Sequence, residues 1–213
     1  MKEKIHLIWD WNGTLLDDVS ANMRTVDEML TRRGLETVDD LEKYRRLFGF
    51  PISDFYLKVG FDLEKESFDK VAEEYVAAYV ENSRDVSLYP DVRETLEAFR
   101  RAGVGMSILS ATEHTRLLTH VASYGIEEYF SQIVGVSDNR GDSKAGAGAR
   151  YVKSLGGVRA VFIGDTVHDA YVARECGSEC VLVSRGHMDS VRLKETGCSV
   201  FSDLGEVFRY IMK

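Results

Sequence analysis

Short apolar runs separated by helical stripes organise most of the chain. Five runs, Ile5–Trp9, 104–109, Gln132–Val136, 160–163 and 180–183, are bounded by polar residues or glycine, the pattern of strands buried on both faces of a parallel sheet. Between them, helical patterns cover 91–101, 113–124, 143–155 and 168–175, closed by Gly103, Gly125, Gly156 with Gly157, and Gly177. Glycine suits those positions because it readily takes the left-handed conformation that ends a helix. The alternation predicts an α/β fold with a doubly wound, Rossmann-like parallel sheet.

One stretch breaks the alternation. From 16 to 84 no strand pattern occurs. Met23, Val26, Met29 and Leu30 form one helical stripe, and Phe68, Val71, Ala72, Tyr75, Val76 and Tyr79 form another. This predicts a small helical domain over 16–84, inserted into a core domain made of 1–15 and 85–213. The chain returns to the core over 82–90, with Pro90 ahead of a helix.

The 213 residues allow a substantial core. The net charge of −8 leaves no basic field for a nucleic-acid backbone, so no nucleic-acid partner is expected. Cys176, Cys180 and Cys198 match no metal-ligand spacing and suit free thiols in a reducing compartment. The residues before the first strand lack the apolar stretch of a secretory signal, and no window reaches membrane-span length. These features predict a cytoplasmic protein with no membrane partner.

In open parallel sheets the site lies at the carboxyl ends of the strands. Those ends read Asp10-Trp11-Asn12-Gly13-Thr14, Ser110-Ala111-Thr112 and Gly164-Asp165-Thr166-Val167-His168-Asp169, and Lys144 opens the helix before the fourth strand. A strand-end carboxylate beside a glycine turn can attack phosphorus while turn amides hold the phosphoryl oxygens. Asp10 fits that role, with Gly13, Thr14 and Ala111 around the phosphoryl group. Ser110 and Lys144 supply a hydroxyl and an ammonium for the cradle. Attack on an anionic substrate needs a cation, and Mg2+ favours one or two carboxylates plus substrate oxygens. Asp10 and Asp165 supply such carboxylates.

These four segments, in this order and at these structural positions, resemble the motifs of the haloacid dehalogenase (HAD) superfamily over essentially the whole chain. The resemblance implies Asp10 as nucleophile, with the Asn12 main-chain carbonyl and Asp165 as Mg2+ ligands. It implies Asp169 as a nearby metal-site or lysine-orienting carboxylate. The helical insert resembles the cap of phosphoglycolate phosphatases and β-phosphoglucomutases. The phosphatases of this superfamily carry a second aspartate where this chain has Asn12; an amide can neither protonate a leaving alkoxide nor deprotonate water. General acid/base help is worth roughly 10²–10⁴ in rate, so Asn12 weakens that half of the reaction.

The expected function is Mg2+-dependent hydrolysis of a small phosphorylated metabolite through an aspartyl-phosphate on Asp10, favouring acyl, anhydride or aryl phosphates. The alternatives are a catalytically weak phosphometabolite-binding protein and phosphomutase-type transfer. Lys153 is a second candidate for the Lys144 role, and His114 and His168 stand near the motifs, where packing is the better expectation. In 45–51, Arg46 is expected to meet the distal end of an anionic substrate while Phe48 and Phe50 exclude water. Trp9 and Trp11 are expected to pack. Lys43 and Lys58 carry no motif for Schiff-base chemistry.

Overall fold

The computed structural model describes residues 4–136 and 144–213. Ser143, expected to open a helix, lies outside the described residues. Among these residues six strands form one parallel sheet: β1 (Ile5–Trp9), β2 (Gly105–Glu113), β3 (Gln132–Val136), β4 (Arg159–Gly164), β5 (Glu179–Val183) and β6 (Ser199–Phe201), in the spatial order β3-β2-β1-β4-β5-β6. The chain leaves β1 toward β2 and β3, then restarts on the other side at β4. The point where strand order reverses lies between β1 and β4, and there a crevice opens at the strands' carboxyl ends.

Alternation along β1 explains how both faces are buried. Leu7 and Trp9 enter a core with Ile108, Val161, Ile163 and Phe99, whereas Ile8 enters a second core with Leu109, Phe162, Tyr151 and Val172. Trp9 and Trp11 are fully buried against Phe99 and Tyr124, as packing residues. The helices covering the sheet are α5 (Val92–Arg101), α6 (His114–Ser123), α7 (Lys144–Ser154), α8 (Val167–Glu175), α9 (Ser190–Glu195) and α10 (Leu204–Ile211).

Between β1 and α5 the chain forms four helices: α1 (Val19–Arg32), α2 (Leu41–Leu47), α3 (Ile52–Val59) and α4 (Phe68–Asn82). They share a core of Met29, Leu30, Phe55 and Val71 that also takes in Leu182, Met188 and Leu193 from the sheet side. Arg33 joins α1 to α4 through Glu66 at 2.6 Å and Glu74 at 2.5 Å. Arg45 donates to the main-chain carbonyls of Gly186 and Arg185, both at 3.0 Å, and Arg192 donates back to that of Phe48 at 2.6 Å. The insert is therefore fastened to the segment that follows β5.

Three features differ from the sequence expectation. β2 extends through Glu113, so Ser110, Ala111 and Thr112 lie within its irregular last turn instead of after it, where pairing with β3 slips between Leu109 and Glu113. β6 is an additional strand; it has three residues, each only partly buried, and so no apolar run announced it. Helices α9 and α10 were also not anticipated. The three cysteines are free thiols. No helix among the described residues is long and apolar enough to cross a membrane.

Candidate active site

Asp10 leaves the end of β1, where its main-chain N–H donates to Ile163 O at 2.8 Å and ties it to β4. Lys144, in the first turn of α7, donates to Asp10 Oδ1 and, at 2.5 Å, to Asp169 Oδ1. Its side chain is 5% exposed, so this ammonium is held almost dry between two carboxylates. Lys153, on the same helix, is exposed. Asp169 caps α8 reciprocally with Thr166: its Oδ2 accepts from the Thr166 hydroxyl at 2.7 Å and the Thr166 N–H at 3.0 Å. One helix cap thereby fixes the carboxylate that aims Lys144.

Asp165 sits beyond β4, fully buried. Its Oδ1 accepts from the Thr14 hydroxyl at 3.0 Å and its Oδ2 from the His187 N–H at 2.7 Å. Gly13 is at φ +70°, and a Cβ there would lie 2.4 Å from Asp165 Oδ2 and 2.5 Å from the His187 ring. A left-handed backbone and missing space both require glycine. Gly13→Ala is therefore expected to destabilise the fold by at least about 2 kcal/mol and to displace Asp165. Urea unfolding checks this, and a wild-type midpoint would contradict it.

Asn12 is bonded at both ends of its amide. Its Nδ2 donates to Asp18 Oδ2 at 2.7 Å, and its Oδ1 accepts from the Thr112 hydroxyl at 2.9 Å. No described residue donates to its main-chain carbonyl. Ser110 Oγ is buried, accepts from the Thr112 N–H and donates to the Thr112 hydroxyl, both at 3.1 Å. Ser110, Ala111 and Thr112 line the same cavity as Asp10 and Lys144.

Three residues assigned to substrate have other surroundings. The Gly13 N–H is taken by Asp18 Oδ1 and Leu16 O, both at 2.9 Å, and the Thr14 hydroxyl by Asp165. Arg46 is exposed and absent from the cavity wall, because α2 turns that side chain to the surface while neighbouring Arg45 fastens the insert. Arg116, in the first turn of α6, lines the cavity and makes no ion pair among the described residues. Phe48 and Phe50 both line the cavity; Phe50 stacks on His168, with ring centroids 4.5 Å apart. His114 is exposed, and its Nδ1 accepts from the Gly135 N–H at 3.3 Å.

Sequence reading missed a buried network beside Asn12. Asp18 is fully buried and accepts from Gly13, Asn12, Asn22 and Tyr79, and from His187 Nε2 at 3.2 Å. Burial would raise the Asp18 carboxyl, yet His187 and these donors hold it below its ordinary value. Burial would likewise lower the His187 imidazole, and the Asp18 carboxylate outweighs it and holds the ring above its ordinary value. A signal for His187 existed: it follows β5, and the strand-end rule applied to β1, β2 and β4 was not extended there.

The charges bear on whether a cation fits. When all four are ionised, Asp10, Asp18, Asp165 and Asp169 face only Lys144 and the His187 imidazolium, which leaves two negative charges without a partner in the cluster among the described residues. Burial pushes Asp10 up to about 8 and Asp165 up to about 6, Asp169 adding repulsion to each. Asp169 itself is held low, because the Lys144 ammonium outweighs its burial. Ligand oxygens of Asp10, Asp165 and Asp169 lie within 4.8 Å of one another. A hard divalent cation among oxygen donors suits both the donor set and the missing charge.

A lysine and strand-end carboxylates at the reversal point of a doubly wound sheet, beneath a helical insert, define a class of open α/β enzymes. The chain belongs to the haloacid dehalogenase-like hydrolase family, whose model matches residues 7–183. It is 27% identical over 188 residues to a phosphoglycolate phosphatase of Rhodobacter capsulatus, covering 85% of this chain and 84% of that one. A phosphoglycolate phosphatase of Pseudomonas fluorescens is 26% identical over 191 residues, covering 85% and 70%. A haloacid dehalogenase-like hydrolase of Streptococcus pneumoniae superposes with a TM-score of 0.83 at 19% identity, covering 99% of this chain and all of that one, a likeness of fold.

Proposed function

We propose that this hydrolase is a Mg2+-dependent phosphatase of a small phosphorylated metabolite, phosphoglycolate phosphatase-like in class and cytoplasmic, acting without nucleic-acid or membrane partners. Residues 16–84 serve as its cap and 1–15 with 85–213 as its core. The observation that carries the reading is Asp10 held by Lys144, beside Asp165 and Asp169, on the wall of a cavity of about 280 Å³.

In this reading Asp10 attacks phosphorus and becomes the aspartyl-phosphate, which water then cleaves at phosphorus to restore the carboxylate. Lys144, the Ser110 hydroxyl and the Ala111 main chain hold the phosphoryl oxygens, and Asp169 aims Lys144. Asp10, Asp165 and the Asn12 carbonyl would hold the Mg2+, with Thr14 orienting Asp165. When bound, the cation relieves repulsion between the nucleophile and an anionic phosphoryl group. Asn12 offers no proton, so leaving groups that need none react best. The same feature favours, as second reading, a weakly catalytic phosphometabolite-binding protein.

The test is a panel of acyl, aryl and alkyl phosphates with Mg2+ and with a chelator. Turnover lost on chelation supports the enzyme, and Mg2+-assisted binding without turnover supports the second reading. Asn12→Asp sharpens it. A carboxyl at position 12 would meet Asp18 Oδ2 where the amide now donates at 2.7 Å, so it would hold a proton at neutral pH. The ratio of alkyl-phosphate to acetyl-phosphate turnover is expected to rise about tenfold, short of the full general-acid gain of roughly 10²–10⁴. An unchanged ratio would count against the role given to Asn12.

Metal binding carries a pH signature. Carboxylates bind a cation only when ionised, and Asp165 at about 6 and Asp10 at about 8 must both lose protons first. Mg2+ affinity is therefore expected to climb steadily between pH 5 and pH 8, by up to about tenfold per unit for each group below its pKa. Calorimetric titration at several pH values reads this directly. A flat profile would contradict the assignment of these two carboxylates to the metal.

A further inference from the structure

The cavity that begins at Asp10 continues into the insert, and there its chemistry changes. Phe48, Phe55, Phe68, Ala72 and Val76 form its far wall, the last three on one face of α4 at four-residue spacing. Four tyrosines, Tyr44, Tyr56, Tyr75 and Tyr79, complete this wall, and the hydroxyls of all but Tyr56 are already bonded inside the protein. Tyr44 OH is bonded to His187 Nδ1 at 3.1 Å, Tyr79 OH to Asp18 at 2.8 Å, and Tyr75 OH to Asn22 Oδ1. What they present to the cavity is ring surface. Arg116, which makes no ion pair among the described residues, stands on the wall from α6 of the sheet side, one turn past Ser110–Thr112. No cation of the insert lines the chamber.

Resting on the phosphatase reading above, we propose that the substrate is a small aryl phosphate, its phosphoryl group at Asp10 and its aromatic ring in the chamber formed by α2, α3 and α4. Two independent observations meet in this assignment. The wall is largely aromatic, with three of its four tyrosine hydroxyls bonded inside the protein, a surface that gains from burying a ring and offers the carboxylate of a substrate such as phosphoglycolate no cationic partner within the insert. The volume agrees: an apolar cavity of roughly 150 Å³ accepts a benzene ring, and this one has about 280 Å³ for ring and phosphoryl group together.

The second observation is Asn12, whose amide is fixed between Asp18 and Thr112 and carries no transferable proton. A phenolate, with a conjugate-acid pKa of about 10 like that of tyrosine, leaves unprotonated far more readily than an alkoxide, whose conjugate acid is a far weaker acid, close to water. The step balances simply. Asp10 forms a bond to phosphorus as the P–O(aryl) bond breaks and its electron pair leaves on the phenolate. Water then attacks phosphorus, and the P–O bond to Asp10 breaks. One proton of that water remains with inorganic phosphate, and the other neutralises the phenolate through solvent.

The experiment compares phenyl phosphate, acetyl phosphate and phosphoglycolate on the wild-type protein with Mg2+, and repeats the first two on Ala72→Trp, which fills the chamber from α4. Acetate is the better leaving group, so leaving-group chemistry alone ranks acetyl phosphate first. Ring burial is expected to put phenyl phosphate ahead of both others in kcat/KM, on the order of 10- to 100-fold. Ala72→Trp is expected to lower the phenyl-to-acetyl ratio at least about tenfold. Acetyl phosphate or phosphoglycolate ahead of phenyl phosphate, or a ratio unmoved in Ala72→Trp, would overturn the assignment. If Asp10-dependent turnover of acetyl phosphate survives such a result, the aryl assignment alone falls; if no substrate is turned over through Asp10, the phosphatase reading falls with it.

Discussion

Asp10→Asn is expected to reduce phosphate release by roughly 10⁴-fold or more while leaving the fold intact. The amide has the carboxylate's shape but is a far weaker nucleophile, and loss of a covalent nucleophile removes the whole two-step route, not one interaction within it. The same change removes a carboxylate that burial, with added repulsion from Asp169 and Asp165, pushes up to about 8. Thermal unfolding should therefore show no loss of stability, and a rise is consistent with the charge balance. Activity falling together with stability would instead mark Asp10 as a structural residue.

The second large effect is on stability. Asp18→Ala removes an acceptor shared by five groups and leaves His187 buried without its counter-charge. Breaking a buried pair from one side costs about 3–5 kcal/mol, which for a chain of this length lowers Tm by about 10 °C. The loss should depend on pH in a defined direction. Asp18 is held below its ordinary value, so its contribution is present above the unfolded carboxyl pKa of about 4 and fades as pH falls through the lower folded value. His187 is held above its ordinary value, so its contribution is full below about 6.5 and fades as pH rises through the higher folded value. The gap between wild type and Asp18→Ala should be widest at mildly acid pH. A pH-independent gap would show that packing, not the ion pair, is what the variant loses.

Both variants show why some of the site was legible in the sequence and some was not. Asp10, Ser110, Lys144 and Asp165 each sit at the end of a strand or the start of a helix, where apolar runs and a glycine turn mark the position locally. The insert could be located because α1 and α4 carry apolar stripes and no strand pattern interrupts them. Asp18 and His187 are different. They are 169 residues apart and meet only because the insert folds back onto the segment after β5, and no local periodicity encodes that contact.

The cavity wall shows the same division. Arg45 and Arg46 are adjacent basic residues with nothing in the sequence to separate them, yet a helix turns one to carbonyls of the core and the other to solvent. Arg116 was overlooked because it lies beyond the motif, a helical turn past the residues that drew attention. β6 was overlooked because three half-buried residues contain too little apolar signal, its pairing to β5 being supplied by the finished sheet. Strand ends were readable from the chain itself; side-chain direction and long-range pairing depend on packing.

Rapid-quench mass spectrometry during turnover of an activated phosphate with Mg2+ tests the central claim most directly. With no proton carrier at Asn12, release to water should be the slower half-reaction, so phosphoenzyme should accumulate in a burst approaching one equivalent per active site. The phosphoryl group is predicted on the peptide that contains Asp10, and neither burst nor label should occur in Asp10→Asn. A phosphoryl group on another residue, or phosphate release at the wild-type rate from Asp10→Asn, would contradict the account.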